Sequence, residues 1–306
     1  MAQLFSLGIS IHMKDTPIVS LAICFCLLAC RPACAQVTNT TAASTNFVNI
    51  GGRQLEMASF GQGTPSVIVE AGLGEPAVEN GSWKSVIDEV AKTTRICIYD
   101  RAGLGKSDAV TNASRTCLDF VKDLHTLLVN AKVPPPYILV GHSIGGFTVR
   151  LYASKYPGEV AGVVLVDSSY PDQTTKWPAL IPPESPQEPA SVKKMRDFFK
   201  QMADPHSTPE WQDLAVSSAE VRAAGDFGNK PLIVISHSHD WKFDPDLPKD
   251  LSDKMEQLWG EWQNNLCRLS SNSTHKTAVK AGHYVQTEDP QLVSEAILRV
   301  VEATKK

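Results

Sequence analysis

From about residue 47 onward, the hydrophobic positions of this chain alternate between two registers. Short runs rich in β-branched residues occur at 47–50, 54–60, 66–70 (SVIVE), 95–99 (RICIY), 137–140 (YILV), 162–166 (GVVLV), 232–235 (LIVI) and 275–279. Most are apolar at nearly every position, as strands covered on both faces are. Between them, apolar residues recur at helical spacing over 83–91, 116–131, 146–155, 251–269 and 290–304. Gly51-Gly52 joins the first two runs as a hairpin turn, and Pro134-Pro135-Pro136 ends the second helix, because proline has no N–H to give the helical ladder. The pattern predicts an α/β fold: a mostly parallel central sheet of about eight strands with helices on both faces.

One interval breaks the alternation. Between the sixth and seventh strands some sixty residues intervene, about 169–230, with prolines at 171, 178, 182, 183, 186 and 189. Two amphipathic stretches follow, near 192–202 and 210–224. An insertion of that length in a compact domain is usually functional. It is expected to form a helical cap over the C-terminal edge of the sheet, where open α/β sheets bind ligands.

The first 35 residues are of another kind. An apolar stretch at 18–29 follows Met13-Lys14 and ends near Ala33-Cys34-Ala35. An apolar core of about a dozen residues closed by an A-x-A series has the form of a secretory signal peptide and is too short to span a bilayer as a helix. Cleavage after Ala35 predicts an exported protein, periplasmic or secreted, starting at Gln36. The alternative is a lipoprotein-like box at Leu27-Leu28-Ala29-Cys30, with Cys30 as the lipid anchor. Residues 36–46 read as a polar linker, and 47–306 as the folded domain. Four of the seven cysteines belong to the leader. Of the rest, Cys97 reads as a core thiol, and Cys117 and Cys267 can pair only if the fold brings them together.

Composition narrows the partners. A formal net charge of −4 and no run of Lys and Arg leave no footprint for nucleic acid. Nothing in the chain implies a cofactor or a protein partner.

The chemistry is carried by the end of the fifth strand. The apolar run 137–140 continues as Gly141-His142-Ser143-Ile144-Gly145 and then as a helix. A strand, a sharp turn and a helix with serine at the tip is a nucleophile elbow, whose flanking glycines leave room where side chains would collide. Ser143 is therefore the candidate nucleophile.

Three further motifs stand in order: Ala71-Gly72-Leu73-Gly74 after the third strand, Asp100-Arg101-Ala102-Gly103-Leu104-Gly105-Lys106-Ser107 after the fourth, and Ala281-Gly282-His283-Tyr284 before Asp289-Pro290. Together with the elbow they make residues 47–306 resemble the α/β-hydrolase fold superfamily. The resemblance implies that His283, on the loop before the last helix, is the base for Ser143. The backbone N–H groups of Leu73 and Ile144 are then the oxyanion donors. It also implies an acid after either of two strands: Asp240 after the seventh, in the usual position, or Asp167 at the end of the sixth. In the first of these loops His237 stands where glycine is usual. His142 reads as a residue supporting the turn, and Arg101 as one that holds neighbouring loops.

The implied activity is that of a serine hydrolase acting on a small-molecule ester or amide, with carboxylic-ester hydrolysis as the default. Amidase or aminopeptidase chemistry and carbon–carbon bond hydrolysis are alternatives on the same fold, and Glu184 and Glu188 are acidic residues in the cap that an aminopeptidase could use for a free amine. A serine in the elbow argues against the aspartate-dependent dehalogenase and epoxide-hydrolase branches. Two other classes fit part of the pattern. His237-x-His239-Asp240 resembles the start of a metallo-hydrolase motif, but without a histidine following that aspartate, so no metal is expected. A non-catalytic binding protein on the same scaffold would not need both Ser143 and His283.

Overall fold

The computed structural model describes residues 44–110 and 113–305. The leader at 1–35, Cys30 and most of the polar segment 36–46 lie outside the described residues.

Eight strands form one sheet: β1 (Ser44–Asn49), β2 (Gln54–Phe60), β3 (Ser66–Glu70), β4 (Ile96–Tyr99), β5 (Tyr137–His142), β6 (Val160–Val166), β7 (Leu232–Ser236) and β8 (Ser273–Thr277). Their order across the sheet is β1-β2-β4-β3-β5-β6-β7-β8. β2 runs antiparallel to both β1 and β4, and the other pairs are parallel. β1 begins inside the stretch read as a linker, because Ser44 to Asn46 already pair with Ser59 to Met57. β8 lies two residues earlier than its apolar signal, so that Ala278 is buried just past the strand while Val279 is 71% exposed. Both edge strands, STNFVN and STHKT, are largely polar, which discourages edge-to-edge pairing.

The five strands β3 to β7 explain their own apolar runs: successive residues point to opposite faces, and both faces are covered. On one face Val67, Val69, Ile138, Val140, Val164 and Ile233 meet α1 (Lys84–Val90) and α9 (Pro290–Ala303). On the other, Ile68, Leu139, Val163, Leu165 and Val234 meet α2 (Cys117–Asn130) and α3 (Gly145–Lys155).

The insertion between β6 and β7 holds three helices, α4 (Gln173–Leu180), α5 (Ala190–Met202) and α6 (Leu214–Arg222). The proline-rich pattern hides α4, which accommodates Pro178 inside it. Trp177, Val192 and Met195 from the insertion share an apolar cluster with Leu251, Met255, Trp259 and Trp262 of α7 (Lys249–Cys267). α6 instead serves α2, whose N-terminal Cys117 and Leu118 N–H groups donate to Ser217 Oγ and Glu220 Oε2 at 3.0 and 2.9 Å. A four-residue helix, α8 (Val285–Glu288), follows the histidine loop. Cys97, Cys117 and Cys267 are all free thiols.

Because β3, β5, β6, β7 and β8 are parallel, their C-terminal ends lie along one edge of the sheet. Every segment singled out for chemistry leaves the sheet there.

Candidate active site

Ser143 sits between β5 and α3 with φ +52°, a left-handed conformation that only a tightly held turn imposes on a side-chain-bearing residue. The glycines around it are dictated by space: a Cβ on Gly145 would lie 2.4 Å from the Glu70 carbonyl oxygen, and one on Gly141 2.8 Å from the Gly146 Cα. Asp167, one residue past β6, is also left-handed, at φ +41°.

The structure brings Ser143, His283 and Asp167 into one chain of hydrogen bonds. His283 Nε2 lies 3.0 Å from Ser143 Oγ, and His283 Nδ1 lies 2.6 Å from Asp167 Oδ2. With the Nδ1 proton donated to the carboxylate, Nε2 is left as the acceptor for the serine hydroxyl. Asp240 is not part of this arrangement: it is exposed in the turn after β7, its own N–H 3.3 Å from Ser238 Oγ. The usual position for the acid is thus replaced, and the reason lies in the strand ends. Asp167 leaves β6 directly beneath His283, and the β7 loop delivers His237 to the other side of the same carboxylate, with His237 Nδ1 2.9 Å from Asp167 Oδ2.

Burial would raise the Asp167 carboxyl, but its hydrogen bonds from His237 and His283 win and hold it well below its ordinary value. His283 is held below the ordinary 6.5, chiefly by burial and against the pull of Asp167. An imidazole in that state is neutral at neutral pH, as a proton acceptor for serine must be.

The loop after β3 is fixed from two sides. Arg101 donates through Nη1 to the Ala71 carbonyl at 2.8 Å and through Nη2 to that of Gly72. The same guanidinium is paired with Glu70 at 2.9 Å and with Glu210 at 2.7 Å, and Tyr99 donates to Glu70 at 2.6 Å. Burial pushes the Glu70 carboxyl above its ordinary value, partly offset by Arg101 and Tyr99. On the loop itself, Gly72 N–H donates to Glu75 Oε2 at 3.1 Å and Gly74 N–H to Glu210 Oε1 at 2.8 Å. Leu73 N–H between them, and Ile144 N–H at the head of α3, find no protein acceptor among the described residues. Both are therefore left unspent, as oxyanion donors must be.

His142 supports this from below. Its Nε2 donates to the His283 carbonyl at 2.9 Å, and its Nδ1 faces Glu75 at 3.5 Å. Burial opposes ionisation of Glu75, yet His142, Ser82 and Asn80 hold its carboxyl at about 2.

Glu210 comes from the insertion between β6 and β7, so the cap segment itself helps fix the loop of Leu73. Glu210→Ala is expected to remove the Gly74 tether and leave Arg101 half paired, costing about 3 kcal/mol of stability and lowering kcat for an ester about tenfold. Thermal unfolding and ester turnover check this, and an unchanged kcat in the folded variant would separate the cap from the loop.

The other sequence candidates sort plainly. His237 places both ring nitrogens on carboxylates, Asp167 and Glu256, while His239 is exposed. Glu188 is neutralised by Arg196 at 2.7 Å and is not free for an amine, whereas Glu184 is exposed. Sequence reasoning missed Glu70, Glu75, Glu210, Glu256 and Trp259. The one available signal was Glu70: a carboxylate ending an otherwise apolar strand is buried and needs a partner.

A family model described as alpha/beta hydrolase fold matches residues 65–201, which covers β3, the elbow and Asp167 but stops short of His237 and His283. The uncharacterized protein YqjL of Bacillus subtilis (strain 168) is 28% identical over 237 residues, 77% of this chain and 83% of that protein. Two further curated relatives are matched over less than half of their own length. Among solved structures, a putative lipase from Acinetobacter baumannii AYE superposes with a TM-score of 0.60 at 16% identity, over 86% of this chain and 92% of that one. A thermophilic esterase from Thermogutta terrifontis (malate bound) gives a TM-score of 0.56 at 19% identity, over 87% of this chain and the whole of the other. These likenesses are of fold.

Proposed function

The chain belongs to the α/β-hydrolase fold superfamily and is a hydrolase, and on that premise we propose that it cleaves carboxylic esters through an acyl-enzyme on Ser143. The observation that carries the reading is the unbroken line from Ser143 Oγ through His283 to Asp167, at 3.0 and 2.6 Å.

In this reading His283 Nε2 takes the Ser143 hydroxyl proton as Oγ attacks the ester carbonyl. The oxyanion that forms is received by the N–H groups of Leu73 and Ile144. Collapse expels the alkoxide, which takes the proton from His283 and leaves as an alcohol. Water then attacks the acyl-enzyme with His283 again as base, releasing the acid and restoring the serine. Asp167 holds the imidazole in the required tautomer and balances its charge while it is protonated.

Ester is favoured over amide because the putative lipase and the esterase named above share the fold, and because Glu188 of the cap is spent on Arg196. Kinetic profiling against aryl esters of graded acyl length, beside thioesters and aminoacyl anilides, tests it: esters should lead by at least tenfold in kcat/KM, and anilides leading would overturn it.

We further propose that the protein is exported, on the strength of the apolar stretch at 18–29 and Ala33-Cys34-Ala35. Intact-mass analysis of protein from the native host should find Gln36 at the N-terminus. A lipidated Cys30 or a retained leader would contradict cleavage there.

A further inference from the structure

Asp167 serves two imidazoles. Its Oδ2 accepts from His283 Nδ1 at 2.6 Å and from His237 Nδ1 at 2.9 Å, while Oδ1 accepts from the His237 main-chain N–H at 3.1 Å and from Trp259 Nε1 at 2.9 Å. The carboxylate's four acceptor positions are filled. On the far side of the second ring, His237 Nε2 lies 2.9 Å from Glu256 Oε2. A neutral imidazole has one N–H and would turn a lone pair toward one of these carboxylates. Only the doubly protonated ring donates to both. The ring is also fixed in place, stacked at 16° on Trp259 with Trp241 at a centroid distance of 4.5 Å.

We propose that His237 is a positioning residue, held as an imidazolium between Asp167 and Glu256, and that its charge keeps His283 neutral and able to accept the Ser143 proton. The inference rests on the hydrolase reading above and goes beyond the Ser143–His283–Asp167 set.

The charges around the ring agree. Burial works against a charge on His237, but the carboxylates of Asp167 and Glu256 hold its pKa up at about 9. Burial, with the charges of His142 and His237 added, holds His283 down although Asp167 pulls the other way. Across the neutral range the proton therefore resides on His237 and not on His283. The groups that face His237 are Asp167 after β6, Glu256 and Trp259 on α7, Trp241 after β7 and His283. His239, Glu256 and His275 line a pocket of about 260 Å³ with His237 itself. His275 is committed within that pocket to Ser236 Oγ and Asn264 Oδ1, at 3.0 and 3.2 Å.

Ring-nitrogen NMR on the full chain tests this without relying on turnover. In the wild type both His237 ring nitrogens should stay protonated up to about pH 8, while His283 carries a single proton at pH 7. In His237→Asn, which keeps a donor toward Asp167 but no charge, His283 should titrate about one pH unit higher. The acid limb of kcat/KM should move up with it. Glu256→Gln, a substitution of equal size, should make His237 lose its proton at lower pH. A wild-type His237 that is neutral at pH 7.5, or a His283 titration unchanged by His237→Asn, would overturn the proposal. If the wild type cleaves no ester, the function reading fails, and the two titrations still decide the state of His237.

Discussion

Ser143→Ala should bring hydrolysis of an aryl ester to background, a loss on the order of 10⁶-fold, with the fold and its thermal stability intact. The substitution deletes a hydroxyl whose bond to His283 Nε2 is only partly buried and lies outside the apolar core. The strain of the turn remains, since alanine meets the same φ of +52° that serine does. His283→Ala should cost about as much, and the double variant little more than either, because nucleophile and base act as one unit. Turnover by the purified variant within tenfold of wild type would remove Ser143 from the chemistry.

The second large effect is an asymmetry. Asp167→Asn should lower kcat by roughly 10⁴-fold, since an amide turned toward His283 Nδ1 offers either a repelling N–H or the wrong tautomer. Asp240→Asn should stay within about twofold, because that side chain is exposed and makes no hydrogen bond with His283. The two are compared as purified proteins at one pH with one ester. Equal losses, or a larger one at Asp240, would invert the assignment. Asp167→Asn should also destabilise the fold at neutral pH, because it leaves the His237 ring without the buried one of its two carboxylate partners.

Much of this architecture was legible in the chain. Strands β3 to β7 announce themselves as nearly unbroken apolar runs because both faces of each are covered, and the helices between them show the spacing of one buried stripe. The edges were harder. β1 and β8 are polar, so the sequence signal ends where burial ends and their bounds moved by two or three residues. α4 was hidden behind prolines, since propensity argues against a helix that tertiary packing of Trp177 nevertheless holds.

In the site, Ser143 and His283 were readable from local motifs. The choice between Asp167 and Asp240 was not, because each directly follows a strand and only the three-dimensional course of the β7 loop separates them. That loop delivers His237, whose role depends on Glu256 nineteen residues further on. Glu210 was equally silent: nothing near it in sequence indicates that it reaches Arg101, 109 residues away, inside the protein. Long-range pairing of buried charges has no local signature.

The central claim is that Ser143 is a nucleophile activated by His283. The most direct measurement is reaction of the native protein with a fluorophosphonate probe, followed by mass-spectrometric mapping of the adduct. One phosphonyl group on Ser143 is predicted, forming at a rate that falls as pH drops below the range in which His283 is neutral, and forming hardly at all in His283→Ala. No adduct under conditions that label a control serine hydrolase, or an adduct on another residue with Ser143 unmodified, would contradict the account.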